Sequence, residues 1–325
     1  MRTIMHDTFG KPEEVLYVDN QEIPEPEQGQ VRLKVVLSSI HNHDLETIRG
    51  RYGFVPPLPA HAGTEAVGIV DKLGAGVEGL SEGQRVVSGG SFGVWSEYAV
   101  VDAAKLIPVP DALPDEVAAQ LVAMPFSAIS LLDSLNLESG DWLILNAANG
   151  AVGRIASQLA QGRGINVVGL VRRDAAIDEL AEHGVTKVVS TEGENWRERV
   201  QEITGGAPIK AGLDSVGGQA TADLVSLLGD GGTLVAFGAM NDATLSVPVQ
   251  DVLFRGVSLR GFWGSKVNAE MTAEKRAELF GELIARISDG TVTLPVAGTF
   301  DVDNIREAVE ACKQAGRNGK VLLSF

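Results

Sequence analysis

Residues 142–174 constrain this chain more tightly than any other stretch. Trp142-Leu143-Ile144-Leu145-Asn146-Ala147 predicts a strand and Ala148-Asn149-Gly150-Ala151-Val152-Gly153 a glycine turn. Residues 154–163 then predict a helix, and residues 166–171 a second strand that ends at Arg172-Arg173-Asp174. Strand, turn, helix and strand within about 30 residues make a βαβ unit, whose two strands lie parallel in one sheet. The start of such a helix leaves N–H groups without partners at the positive end of the helix dipole, where a pyrophosphate can sit. Gly150 lets the backbone approach the phosphates, Gly153 lets the helix pack close on its strand, and Ala151 and Val152 complete the turn. The run Ala147-x-x-Gly150-x-x-Gly153 departs at its first position from G-x-G-x-x-G. Two glycines alone are a weak signature. The flanking strands and helix favour a dinucleotide turn over an ordinary βαβ connection.

The polar tip falls nineteen residues after Gly153, where such units read the ribose. An acid at that point selects NAD. This strand ends in Arg172-Arg173, with no acid before Asp174. A guanidinium fork matches a 2′-phosphate dianion, so the tip reads as NADPH-binding; two solvated surface arginines are the alternative.

Further strands, alternating with helices, are predicted at 187–190, 211–216, 233–237 and 258–263. With the first two they make six, the number in a doubly wound parallel Rossmann sheet. Phe237-Gly238-Ala239-Met240 ends one of them, on the edge where open α/β sheets bind ligands. Residues 270–289 predict one amphipathic helix. Residues 1–120 read as mostly β, in short runs such as Val31-Arg32-Leu33-Lys34-Val35-Val36, 66–70 and 84–87. Ile23-Pro24-Glu25-Pro26 is a connector, because proline does not fit a central strand. From 294 onward the chain returns to short strands, with a helix at 303–315. The expected layout is a β domain of residues 1–120 and 290–325 around a nucleotide domain of residues 121–289. The strand at 257–263 would be the sheet's last. Its open apolar edge calls for a cover, which a homodimer would supply.

Composition removes several classes of partner. Lys+Arg 27 against Asp+Glu 43 gives a net charge of −16, unsuited to nucleic acid or an anionic membrane. Cys312 is the single cysteine, so neither an internal disulfide nor a cysteine-based zinc site can form. The first residues lack an apolar signal-peptide core, and the longest apolar run, 118–132, is too short to span a bilayer. A cytoplasmic setting is the expectation.

The order of β domain, nucleotide domain and return segment resembles the medium-chain dehydrogenase/reductase family over essentially the whole chain. Gly63-Thr64-Glu65-Ala66-Val67-Gly68-Ile69-Val70, followed by Gly74-Ala75-Gly76-Val77, is similar to a family-wide stretch. Ala-x-x-Gly-Ala-Val-Gly resembles the turn of the zinc-free quinone and enoyl reductase branches. The resemblance implies a GroES-like fold for the β domain. Where zinc enzymes of the family place their catalytic ligands, this chain has His41, Thr64 and Met124, and one imidazole is not a zinc site. His41-Asn42-His43-Asp44 is a possible metal cluster on composition alone. In an extended strand, however, neighbours point to opposite faces, so these residues read as polar lining of the cleft.

Within the zinc-free branches the chain resembles mitochondrial-type trans-2-enoyl thioester reductases, with quinone oxidoreductases next. Gly50-Arg51-Tyr52-Gly53 precedes Pro56-Pro57-Leu58-Pro59, where those enzymes place a tyrosine as proton donor. Phe92-Gly93-Val94-Trp95-Ser96-Glu97-Tyr98 is similar to their Gly-Thr-Trp stretch, and Arg255-Gly256-Val257-Ser258-Leu259-Arg260-Gly261-Phe262-Trp263 matches their Arg-Gly-Phe-Trp. The resemblance implies that Phe237, Gly238, Ala239, Met240, Phe262, Trp263, Gly264 and Lys320 touch the cofactor, beside Arg172, Arg173 and Asp174. It implies that His41, Asn42, Trp95 and Trp263 line the substrate cleft. An asparagine used by those enzymes is replaced by Met124. Read from residue type alone, Trp95 and Trp263 are equally core aromatics, and Tyr52 and Lys320 equally surface residues.

The implied activity is NADPH-dependent reduction of an α,β-unsaturated carbonyl, an enoyl thioester or enone, with hydride to the β-carbon and a proton to the α-carbon. Without zinc as Lewis acid a hydroxyl must donate, and Tyr52 is the candidate. Two alternatives stay open: an NADPH:quinone oxidoreductase on the same scaffold, and an NADPH-binding structural or sensor protein without catalysis. Metal independence is directly measurable. Reductase turnover is expected to survive prolonged EDTA dialysis, and elemental analysis to find no stoichiometric zinc; activity lost on chelation and restored by zinc would contradict the ligand reading.

Overall fold

The six strands of the nucleotide half form one parallel sheet in the computed structural model, which describes residues 1–314 and 316–325. In space the strands run Val188–Ser190, Asn166–Val171, Trp142–Leu145, Ile209–Asp214, Leu228–Ala236, Ser258–Gly261. Numbered along the chain, that is 3-2-1-4-5-6, the order of a doubly wound dinucleotide fold. All five neighbouring pairs are parallel. The inner strands are buried along nearly their whole length, as expected when helices cover both faces of a parallel sheet. Ile144, Val168, Leu170, Val189, Trp196, Leu224 and Leu234 pack into one core, and each fully buried side chain of this size stabilises the fold by about 1.5–3 kcal/mol.

This sheet lies in one of two units, Met124–Thr293; the other comprises Met1–Ala123 and Leu294–Phe325. In the latter a seven-stranded sheet runs Val296–Asp301, Lys320–Ser324, Gln30–Ser39, Glu65–Leu73, Arg85–Gly89, Leu106–Pro108, with Tyr98–Asp102 also paired to Gln30–Ser39. A three-stranded sheet joins Tyr17–Asn20, Arg2–His6 and Ala60–His61. The alternation read at 31–36 is real: Val31, Leu33 and Val35 are buried, and Lys34 between them is exposed. Residues 23–26 lie outside regular structure. No helix among the described residues is long and apolar enough to cross a membrane.

Three elements near the end of the chain differ from the sequence reading. The helix expected at 270–289 is Ala273–Ser288, and a separate short helix, Gly264–Glu270, precedes it. The break lies at Thr272, whose hydroxyl accepts the Lys275 N–H at 3.2 Å and so caps the second helix. The last strand stops at Gly261, and Trp263 caps the helix beyond it. The helix expected at 303–315 is a 3₁₀ turn, Val302–Asn304, followed by Ile305–Cys312; its expected end at Ala315 lies outside the described residues.

Candidate active site

The glycine turn opens the helix Ala151–Gly162, with Gly150 as its N-cap. A side chain on Gly153 would bring its Cβ within 2.7 Å of the Ala147 carbonyl oxygen, which is why only glycine lets the helix approach its strand so closely. Counted on the six-residue spacing, the place of the missing first glycine is Ala148. Its buried methyl packs where a Cβ on Gly169 would come within 2.7 Å, so glycine in the neighbouring strand makes room for alanine in the turn. The left-handed bend falls one residue earlier, at Ala147 with φ +46°, a conformation that disfavours residues with a Cβ.

Below the turn, Asn146 and Asp214 form a buried pair, with Asn146 Nδ2 donating to Asp214 Oδ1 at 2.6 Å. At the tip of the second strand Arg172, Arg173 and Asp174 are all exposed. Arg173 pairs with Glu179 at 3.2 Å, while Arg172 makes no ion pair among the described residues. The Asp174 N–H donates to Glu192 at 3.3 Å. The sequence treats the two arginines alike, but the structure leaves Arg172 the guanidinium with its fork uncommitted. The Phe237 N–H bonds to Asp214 O and the Met240 N–H to Ser215 O, which hangs residues 237–240 on the loop after Ile209–Asp214. Ala239 and Met240 are exposed. Phe262 is half-buried, and Gly264 lies where a Cβ would come within 2.7 Å of the Ser127 hydroxyl. Trp263 is 47% exposed, so of its two sequence readings the core one is set aside.

The β unit holds the second set of polar residues. His41, Asn42, His43 and Asp44 do not lie on a strand as expected. His41 caps the helix Asn42–Ile48, and its N–H donates to Asp44 Oδ2 at 2.8 Å. The two histidine rings therefore do not diverge; they stack, with centroids 5.0 Å apart and planes at 12°. His41 is wholly buried, its Nε2 lying 2.6 Å from Glu65 Oε2 and 2.7 Å from the Ser39 hydroxyl. Burial holds this imidazole well below its usual pKa. Glu65 is also fully buried, and its other oxygen accepts the N–H groups of Val122 and Ala123. Burial pushes its carboxyl up to about 7, against the pull of those two hydrogen bonds and of Lys320 and His43.

Lys320, only 9% exposed, belongs to the same cluster. Burial, with Arg317 adding to it, brings the amine down to about 8, while Glu65, Asp44 and Cys312 act the other way. Trp95 corrects the cleft reading. It is fully buried in a core with Ile4, Leu16 and Ile40, and its Nε1 donates to Ser39 O at 3.2 Å. A Cβ on Gly63, which has φ +90°, would collide with its ring. His41 is likewise interior, whereas Asn42 is exposed.

The residue to which the sequence assigns no role beyond cleft lining is His43. Its ring lies 5.7 Å from that of half-buried Tyr52. The Thr64 hydroxyl donates to Asp44 Oδ1 at 2.6 Å, so the 2.7 Å contact from His43 Nε2 to Thr64 Oγ1 makes His43 the donor there. Asp44, Thr64 and His43 form a hydrogen-bonded chain ending beside Tyr52. The available signal was Asp44 three residues after His41, the spacing of an N-terminal helix cap. Among the described residues no three His, Cys, Asp or Glu side chains gather as a metal site.

These features define a class: a two-unit α/β protein with a doubly wound dinucleotide-type sheet and a separate mostly β unit. Residues 27–111 match the family model described as an alcohol dehydrogenase GroES-like domain, and residues 151–280 that of a zinc-binding dehydrogenase. The chain belongs to the medium-chain dehydrogenase/reductase family. It is 30% identical to the human mitochondrial enoyl-[acyl-carrier-protein] reductase over 332 residues, covering 100% of this chain and 89% of that one. The Arabidopsis thaliana protein of the same name is 32% identical over 296 residues, 89% of this chain and 79% of its own. Among solved structures, Escherichia coli quinone oxidoreductase complexed with NADPH superposes with a TM-score of 0.90 at 26% identity, covering 100% of both chains.

The raised Glu65 carboxyl has a consequence for stability. An acid whose folded pKa lies above its ordinary 4.5 takes up a proton on folding, so its contribution is fully present below that value and is lost as pH rises through about 7. Replacing Glu65 by Gln removes the titration but keeps an acceptor for Val122 and Ala123. Wild-type stability relative to Glu65→Gln is expected to fall between about pH 5 and about pH 7.5, read from urea midpoints. Parallel curves for the two proteins would refute it.

Proposed function

We propose that this protein is an NADPH-dependent reductase of α,β-unsaturated thioesters. The observation that carries the reading is Tyr52, half-buried beside His43 at the end of the Asp44–Thr64–His43 chain. Full-length similarity to enoyl reductases supports it, and so does a dinucleotide turn with an exposed arginine tip. Gly150, Gly153 and Arg172 suit a phosphate-bearing dinucleotide, with backbone N–H groups for the pyrophosphate and a guanidinium for the 2′-phosphate. Residues 237–240, 262–264 and Lys320 are proposed as further contacts. When bound, NADPH supplies the hydride. Tyr52 donates a hydrogen bond to the carbonyl oxygen of the substrate and stabilises the enolate that forms when the β-carbon is reduced; its proton then passes to the α-carbon, and the phenolate left behind regains a proton from water. His43, held by Thr64 and Asp44, keeps the tyrosine ring in place. Reduction of a quinone on the same scaffold is the second reading, favoured by the similarity to NADPH-bound quinone oxidoreductase.

The homodimer belongs to the same proposal. Ser258–Gly261 is an open edge with all four residues exposed. The helix Val249–Arg255 beside it presents Val249, Leu253 and Phe254, which are 70%, 68% and 85% exposed. A second copy of this chain would cover both the edge and the apolar surface. Cytoplasm is the proposed setting, consistent with the one free cysteine.

Three measurements test these readings. Tyr52→Phe keeps the ring and deletes the donor; it is expected to lower crotonyl-CoA turnover by about 100–1,000-fold. NADPH affinity should be kept, and any benzoquinone turnover should be largely spared, because reduced quinone oxygens take protons from water. Wild-type turnover of the thioester by that variant would remove Tyr52 as the acid. Arg172→Ala is expected to weaken NADPH by roughly ten- to hundredfold, the worth of a charge-assisted contact, and to leave NADH nearly unchanged; equal loss for both would show that Arg172 does not read the 2′-phosphate. Sedimentation velocity at micromolar concentration should give a dimer, and a monomer at every concentration would rule out the proposed cover.

A further inference from the structure

The buried polar network of the nucleotide unit links two segments that are far apart in sequence. Asn146 follows the strand Trp142–Leu145 and directly precedes the glycine turn. Its side chain is 6% exposed, and its Nδ2 donates to Asp214 Oδ1 at 2.6 Å while its Oδ1 accepts the Ser215 N–H at 2.9 Å. Asp214, fully buried at the end of Ile209–Asp214, accepts three further hydrogen bonds: from the N–H groups of Val216 at 2.8 Å and Gly217 at 3.1 Å, and from the Thr221 hydroxyl at 2.5 Å. The carboxylate therefore fixes the loop at 215–218 from inside.

That loop in turn carries the next one. Ser215 O accepts the Met240 N–H at 2.9 Å, and Val216 O accepts those of Asn241 and Asp242 at 3.0 and 3.1 Å. Gly217 at φ +81° leaves no room for a side chain, because a Cβ there would lie 2.3 Å from Asp242 O. The path runs without interruption from the glycine turn through Asn146, Asp214 and residues 215–216 to Met240. It crosses the sheet between Trp142–Leu145 and Ile209–Asp214, where the strand order reverses and a dinucleotide spans the crevice.

We infer that Asn146 and Asp214 are positioning residues for the cofactor, setting the distance between the glycine turn and the loop at 237–240. Neither needs to touch the ligand. A dinucleotide engages both segments at once, so an error in their spacing weakens a ligand that spans them and spares one that reaches only the adenosine end. A residue that merely stabilised the unit would affect both ligands alike. The inference rests on the NADPH reading, and its test keeps the two apart.

The test compares NADPH with 2′,5′-ADP, which carries the 2′-phosphate but no nicotinamide half, by calorimetric titration of the full chain. Asn146→Leu, similar in size but without polar atoms, is expected to raise the NADPH dissociation constant by roughly tenfold or more while the constant for 2′,5′-ADP stays within about twofold. Should Asn146→Leu fail to fold, Thr221→Val removes one donor to Asp214 and is expected to show the same split at smaller size, and Thr221→Ser to restore wild-type affinity. Equal weakening of both ligands, or no weakening of NADPH, overturns the inference. A wild-type protein that binds neither ligand instead overturns the NADPH reading beneath it.

Discussion

The nucleotide unit depends on one pairing, in which the strand Trp142–Leu145 sits between Asn166–Val171 on one side and Ile209–Asp214 on the other. The chain winds outward in one direction from this strand and then returns to start again beside it. Helices from the two halves leave toward opposite faces, so a crevice opens at the carboxyl ends of the central strands. The glycine turn, the arginine tip and residues 237–240, all proposed for cofactor binding, hang on that edge.

The β unit meets a different constraint. It buries a carboxylate, an imidazole and an amine in one cluster, and unpaired burial of any of them is expensive. The structure answers with hydrogen bonds and titration together: Glu65 holds two backbone N–H groups and His41, its carboxyl rises to about 7, and Lys320 falls to about 8. The N–H groups that Glu65 accepts belong to Val122 and Ala123, the last residues before the chain enters the nucleotide unit. A buried carboxyl thus also anchors the segment through which the chain leaves. His43 is the outward counterpart of His41. Stacked on the buried ring and tied to Thr64, it stands beside Tyr52.

Much of the fold was legible in the residues, and for a physical reason. A parallel strand covered on both faces is a continuous apolar run, so Trp142–Leu145 and Asn166–Val171 announced themselves, and Gly150 and Gly153 marked the turn between them. The errors came where local pattern was silent. His41-Asn42-His43-Asp44 was read as extended, although Asp44 capping the His41 N–H begins a helix there. The helix read from residue 270 starts at Ala273, because Thr272 caps it by accepting the Lys275 N–H, a boundary that periodicity alone does not place. Trp95 was assigned to a cleft because a motif resembled one, yet the fold closes Gly63 over its ring.

The sequence by itself determined the order of the strands along the nucleotide half, the glycine turn, the arginine tip and the family, because each rests on neighbours in the chain. Tertiary structure decided which of two adjacent arginines keeps an uncommitted fork, which of two histidines is buried, and which polar side chains bridge the sheet. Glu179 reaches Arg173 across a helical turn, Glu65 meets the helix-capping His41 from the strand Glu65–Leu73, and Asp214 meets Asn146 across the strand reversal. Those pairings join residues from 6 to 68 positions apart; the longer ones depend on which strands the fold sets side by side, and no periodicity within the chain records that.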